Sequence, residues 1–144
     1  MQSAQPYSVY WLSNLETPLA NKFYSKYSFR GKARRHEVCA VVRSEQKVVV
    51  ACAYIRDYNV FKLLAGVAVA PAHQGRGVAR LMLTHLAERF DHHTYTFPYL
   101  HLLPLYVSLG FKPCDAEGQP SSVTQLYQRY RDQGRDIAMM VYTG

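Results

Sequence analysis

The sequence contains no run approaching the roughly 20 uninterrupted apolar residues that a membrane-spanning helix needs, so no bilayer span and no membrane partner are expected. Its opening residues, MQSAQPYSVY, lack the basic and then apolar layout of a secretion signal. Together these two absences lead to the expectation of a cytoplasmic protein. Cysteine is scarce: Cys39, Cys52 and Cys114 are odd in number, and no two stand at the CxxC spacing of a zinc knuckle or a redox pair. They read as reduced thiols, with Cys39 and Cys52 set inside valine-rich runs where a thiol behaves as a small core side chain. His92 and His93, with His101, are the nearest approach to a metal cluster. Adjacent histidines point in different directions, and no acid or thiol stands at a ligand spacing from them, so no metal is expected. Internal repeats, linkers and low-complexity stretches are also missing, which leaves residues 1–144 as one expected domain.

What is present in quantity is apolar surface and positive charge. The 49% apolar composition fills one continuous core, and a formal charge of +7 is concentrated in part at Arg30, Lys32, Arg34 and Arg35. Such a density attracts polyanions. No nucleic-acid-binding motif and no aromatic–basic repeat accompanies it, so a nucleic-acid partner is not expected and a smaller polyphosphate remains.

Apolar runs of period two, or continuous ones, predict strands over Tyr7–Leu12, Glu37–Arg43, Lys47–Arg56, Phe61–Ala70, Thr94–Tyr99, Phe111–Cys114 and Asp136–Tyr142. Short polar links at Ser44–Gln46 and Asp57–Asn59 make the second, third and fourth of these an antiparallel block. Helices fall between the others. Thr17 reads as an N-cap with Pro18 as the first helical residue, after which Leu19, Phe23 and Tyr27 form one stripe. Gly77–Phe90 places Val78, Leu81, Met82, Leu86 and Phe90 on one side. A short helix is expected over His101–Leu109, stopped by Gly110, and a last one behind a capping box of Ser122 and Gln125, ended by Gly134. The fold class is α/β in the broad sense: a mixed sheet with helices packed on it.

The chemistry concentrates in the stretch from Phe61 to Phe90, which runs as strand, Pro71 break, glycine-containing turn and amphipathic helix. Glycines let backbone amides point inward without interference from Cβ, and a helix start adds unpaired N–H groups and a positive dipole end, so main chain alone can hold a diphosphate. The spacing discriminates among motifs that share this logic. A Walker loop requires GK[ST], which is absent, and a dinucleotide fingerprint requires a third glycine where Arg80 stands.

Gln74-Gly75-Arg76-Gly77-Val78-Ala79 instead resembles the (Gln/Arg)-x-x-Gly-x-(Gly/Ala) turn of the GNAT acetyltransferases, with Gln74, Gly77 and Ala79 in its defined positions and Val67-Ala68-Val69 and Pro71 ahead of it. Downstream, Leu105-Tyr106-Val107-Ser108-Leu109-Gly110-Phe111 resembles that family's second signature. The likeness is strongest over residues 61–111 and weak before Glu37. It implies the acyl-CoA N-acyltransferase fold, a central mixed sheet of six or seven strands flanked by about four helices. It further implies acetyl-CoA as co-substrate and transfer of an acetyl group to a primary amine of a small molecule or peptide. Pantetheine then maps to the backbone of Val67 and Val69, and the pyrophosphate to amides of Gln74, Gly75, Arg76, Gly77, Val78 and Ala79. A catalytically silent acyl-CoA-binding module is the alternative within the same fold.

Attack on a thioester needs a neutral amine, a donor for the oxyanion and an acid for the departing thiolate. Tyr106 resembles the family tyrosine beside the CoA sulfur and is the candidate general acid. A backbone N–H near Val69 is the candidate oxyanion donor. The fourth strand carries no acidic residue where relatives often place the base, which leaves Asp57, Glu37 and His36 as candidates. The asparagine that many relatives carry seven residues before the tyrosine is replaced by Tyr99. Tyr95, Tyr99, His101 and Tyr106 are candidates to line an aromatic acceptor pocket. The basic stretch from Arg30 to Arg35 stands where relatives shape the acceptor site, open to reading as a hydrated loop or as a contact for an acidic substrate. A monomer or a homodimer fits equally, since the last strand, Ile137–Tyr142, is apolar on both faces.

Overall fold

The structure, a computed structural model, describes residues 6–144; part of the opening decapeptide therefore lies outside the described residues. Seven strands form one mixed sheet in the order β1-β2-β3-β4-β5-β7-β6, accompanied by four α-helices. The strands are β1 (Ser8–Trp11), β2 (Val38–Arg43), β3 (Val49–Asp57), β4 (Lys62–Val69), β5 (Thr94–Thr96), β6 (Phe111–Pro113) and β7 (Met140–Tyr142). The helices are α1 (Thr17–Lys26), α2 (Val78–Leu86), α3 (Leu103–Ser108) and α4 (Ser121–Asp132). No helix among the described residues is long and apolar enough to cross a membrane.

The chain divides into two compact units. The first comprises residues up to Ile55 together with Ala65–Glu88. In it β1 pairs antiparallel with β2, and β2 with β3 through a bulge at Val42/Arg43. Ala40, Val41, Val42, Ala51, Cys52 and Ala53 are fully buried, so these strands read as near-continuous apolar runs because both faces are covered. Helix α2 presents Val78, Met82, Leu83 and Leu86 to the core. Leu83 is buried where the expected stripe had Leu81, while Val78, Met82 and Leu86 keep their expected places. The helix proper stops at Leu86 and tightens to a 3₁₀ turn over Ala87–Arg89, short of the expected Phe90.

Helix α1 begins differently from the expectation. A 3₁₀ turn over Asn14–Glu16 precedes it, Glu16 takes the cap position, and Thr17 is the first helical residue, its hydroxyl donating to the Asn14 carbonyl at 3.0 Å. The buried face differs from the expected stripe: Thr17, Ala20, Phe23 and Tyr24 are buried, whereas Leu19 is exposed and Tyr27 only half-buried.

The second unit comprises Arg56–Leu64 and Arg89–Gly144. Its first three β4 residues pair parallel with β5, Lys62 with Thr94 through Leu64 with Thr96; β7 pairs antiparallel with both β5 and β6. Strands β5 and β7 are shorter than expected, and only an isolated bridge between Tyr99 and Ile137 continues their direction. Pro98 accounts for the interruption, since it has no N–H to give to a ladder. Its carbonyl still accepts from Ala138 at 2.9 Å. Helix α4 opens at Ser121 behind Pro120, so the expected cap at Ser122 is displaced: Ser122 already lies in the first turn. Val123 and Thr124 N–H close that turn on the Pro120 carbonyl at 3.1 and 3.3 Å. Gly110 and Gly134 stop α3 and α4 with φ of 103° and 89°, as expected for left-handed C-terminal glycines.

Candidate active site

The end of β4 and the turn after it form the site in the first unit. Ala70 donates its N–H to the Val50 carbonyl at 2.8 Å, so at this end of the strand the odd-numbered neighbour Val69 turns its own N–H and carbonyl away from β3. Gln74 Nε2 donates to that Val69 carbonyl at 3.0 Å, which folds the turn back on the strand it leaves.

A 3₁₀ turn over Pro71–His73 is followed by Gly75 and Gly77, with φ of 78° and 77°. Side chains rarely adopt this left-handed region, and a Cβ built on either glycine would meet no atom within 4 Å. The glycines are thus required by backbone conformation, and the space in front of them is open. Gly77 is also the cap residue of α2. It supplies no side chain to the helix start, and the first turn holds no acid. The first intrahelical bond is Leu81 N–H to the Gly77 carbonyl at 3.0 Å, so the N–H groups of Val78 and Ala79 precede the helix's own hydrogen bonding and face outward along the dipole. Arg76 is exposed and its guanidinium donates to Tyr7 Oη at 3.4 Å, while Tyr7 Oη and His73 Nδ1 lie 2.8 Å apart. Tyr7 is buried, and its ring meets that of His73 edge-on. This residue, remote in sequence, holds the turn from below; no local pattern marks it, because its partners are nearly seventy positions away.

One further position shapes β4. Gly66 has φ of 65° and breaks the regular strand immediately before Val67. Tyr24 Oη donates to its carbonyl at 2.6 Å, and any Cβ there would run into the Tyr54 ring and the Tyr24 hydroxyl. Two tyrosines therefore fix the shape of the strand where the site begins.

In the second unit Tyr106 lies on α3, buried, with its ring edge-on to Phe111 at 5.9 Å between centroids. Burial pushes its phenol well above the ordinary tyrosine value, so it stays protonated throughout the neutral range. The other aromatic candidates separate. Tyr95 is buried against Phe61 and donates to Gln119 Oε1, whereas Tyr99 is exposed and stacks on His101 at 6.4 Å. The base candidates are each engaged: Glu37 Oε1 accepts from Arg34 N–H at 2.6 Å and Asp57 Oδ1 from Asn59 N–H at 2.7 Å, both within turns, while His36 Nδ1 meets Asn14 Nδ2 at 2.9 Å across the chain. Among the described residues no group of three or more His, Cys, Asp or Glu side chains is placed to hold a metal ion.

A mixed sheet whose fourth strand ends in a glycine turn, followed by a helix without a side-chain cap, marks the α/β class to which this chain belongs. The family model described as Acetyltransferase (GNAT) domain matches residues 35–113, more than half of the chain, and the protein belongs to this family. It is an acyltransferase of the GNAT type. No curated protein sequence matches the chain. Several solved structures share the fold. N-acetylglutamate synthase from Neisseria gonorrhoeae, complexed with coenzyme A and N-acetyl-glutamate, is 14% identical with a TM-score of 0.66; the match covers 98% of this chain but 35% of the synthase. A Mycobacterium tuberculosis protein solved with CoA is 13% identical with a TM-score of 0.67, covering 95% of this chain and 99% of that one. The ribosomal-protein-S18-alanine N-acetyltransferase from Escherichia coli is 18% identical with a TM-score of 0.61, covering 94% and 92%.

Proposed function

We propose that residues 1–144 act as a single acetyl-CoA-dependent N-acetyltransferase domain, working in the cytoplasm, that passes an acetyl group to a primary amine of a small molecule or peptide. The observation that carries this reading is the open cradle of Gly75, Gly77, Val78 and Ala79, whose amides suit a pyrophosphate and whose left-handed glycines serve no packing purpose. Family membership and the CoA-bound neighbours support the same co-substrate.

In this reading amides from Gln74 to Ala79 hold the pyrophosphate, and the main chain of Val67 and Val69 aligns the pantetheine arm. The amine nitrogen attacks the thioester carbonyl carbon, and the Val69 N–H, turned away from β3, serves the oxyanion. The C–S bond then breaks. The departing thiolate takes a proton from the Tyr106 hydroxyl, the acylated nitrogen gives its proton to solvent, and the Tyr106 phenolate regains one from solvent, so no net proton is released. Glu37 and Asp57 are each bonded within a turn and His36 is bonded to Asn14; in this reading the amine enters already deprotonated.

The test is release of free CoA thiol from acetyl-CoA across a panel of small amines and short peptides. Thiol above the hydrolysis background supports the reading; CoA uptake without release from any acceptor would leave a silent binding module instead. Tyr106→Phe should lower kcat about 100-fold, the low end for a general acid because a thiolate leaves readily, with CoA affinity by calorimetry unchanged. The pH profile separates acid from amine. For a peptide acceptor kcat/KM should rise as the α-amino group deprotonates near pH ~8, then stay level to about pH 10, since burial keeps the phenol protonated beyond its ordinary range. A descending limb below about pH 9 counts against Tyr106 as the acid.

A further inference from the structure

Resting on that reading, we propose that residues 30–35 select the acceptor, and that the acceptor is an acidic peptide whose carboxylates lie along this segment while its amino terminus is acetylated. The segment is built rather than loose. Asn21 closes both backbone groups of Ala33, its Nδ2 donating to the Ala33 carbonyl at 2.9 Å and its Oδ1 accepting the Ala33 N–H at 2.8 Å. Lys32 N–H donates to Tyr54 Oη at 3.2 Å, and Arg34 N–H to Glu37. Gly31 sits on the Tyr24 ring so closely that any Cβ there would collide with it.

These anchors impose an alternation. Gly31 is half-buried and Ala33 buried against the protein, while Arg30, Lys32 and Arg34 are exposed, followed by exposed Arg35. The backbone between Gly31 and Arg34 belongs to no helix or strand. The exposed members of this alternation place a row of positive charge at every second position from Arg30 to Arg34. A lone carboxylate uses one member of such a row; an extended acidic peptide uses all of it.

The row is also tied to the donor site. The two tyrosines that anchor it, Tyr24 under Gly31 and Tyr54 bonded to Lys32, are the two that shape Gly66, the residue before Val67. Their rings meet edge-on at 6.1 Å. The cationic ribbon and the strand proposed to carry the thioester arm therefore share one support.

The test uses the full chain, acetyl-CoA and three peptides that begin with the same residue and continue with four aspartates, four serines or four lysines. In thiol release the acidic peptide should exceed the serine peptide at least tenfold in kcat/KM, mainly through KM, and the lysine peptide should fall below both. The advantage should shrink as salt is raised. Arg30→Glu with Arg34→Glu should reverse the order, Arg30→Lys with Arg34→Lys should keep it, and calorimetry should show CoA affinity unaltered in both. Equal turnover of the three peptides, or an order that survives charge reversal, overturns the inference. So does release from small amines with none from any peptide, which leaves the acetyltransferase reading standing; release from no amine at all removes both.

Discussion

Helices α1 and α2 start from the same unit and have nearly the same length, yet their amino-terminal ends are finished in opposite ways. At α1 the chain closes the end with its own groups. Ser13 donates its N–H to Glu16 Oε1 at 2.9 Å, Glu16 N–H returns to the Ser13 carbonyl at 3.0 Å, and the Thr17 hydroxyl ties back to Asn14. Glu16 brings a negative charge to the positive end of the dipole, and its carboxyl is held below its ordinary value, first by the Ser13 backbone N–H. At α2 none of this occurs: a left-handed glycine stands at the cap, Val78 and Ala79 follow, and the charged residues nearby, Arg76 and Arg80, are positive. A helix start that only has to be stable is capped from within. One that leaves donors and positive potential facing outward suits an anion supplied from elsewhere, which is the role proposed for it above.

The strongest way to break this contrast is to give α2 what α1 has. Ala79→Glu places a carboxylate in the first turn, where the dipole favours it by about 0.3–1 kcal/mol, so thermal stability should hold or rise slightly. CoA affinity should nevertheless fall about 30-fold, since like charges within ~4 Å cost about 4 kcal/mol at an intermediate dielectric, roughly halved here for exposure. Calorimetry beside a melting curve reads both; loss of stability with affinity intact would invert the interpretation. Next in size is Gly77→Ala. The added methyl meets no atom, so its cost is the left-handed backbone alone, about 1 kcal/mol in urea unfolding, accompanied by a several-fold loss in CoA affinity. The smallest effect belongs to α1. Glu16→Gln should lower the melting temperature slightly and leave CoA binding untouched. Because the folded carboxyl titrates below 4.5, the wild-type advantage should be present above that pH and disappear as pH falls beneath it.

The same two helices show what could be read from residues and what could not. Gln74, Gly77 and Ala79 announce the turn because backbone conformation and anion contact there are local demands, legible in adjacent letters. The existence and order of all seven strands were legible as well, through their apolar runs. What escaped were relations across the chain. Tyr7 beneath the turn and Tyr24 with Tyr54 at Gly66 act over tens of residues, and one tyrosine among twelve carries no mark of its partner. The aromatic acceptor pocket failed to assemble for a related reason: Tyr95 and Tyr99 lie on either side of Pro98, which ends the strand and sends one ring into the core and the other to solvent. The caps of α1 and α4 shifted because a neighbouring 3₁₀ turn and Pro120 compete for the same first-turn groups.

The two buried cysteines carry a practical consequence. Cys39 and Cys52, on β2 and β3, face each other at 3.8 Å between sulfurs, 3% and 0% exposed, whereas Cys114 is partly accessible. A thiol-reactive dye should label one site quickly and the other two only when the hairpin breathes. The lag between fast and slow labelling is therefore a built-in clock for opening of β2 and β3, readable without introducing a foreign probe.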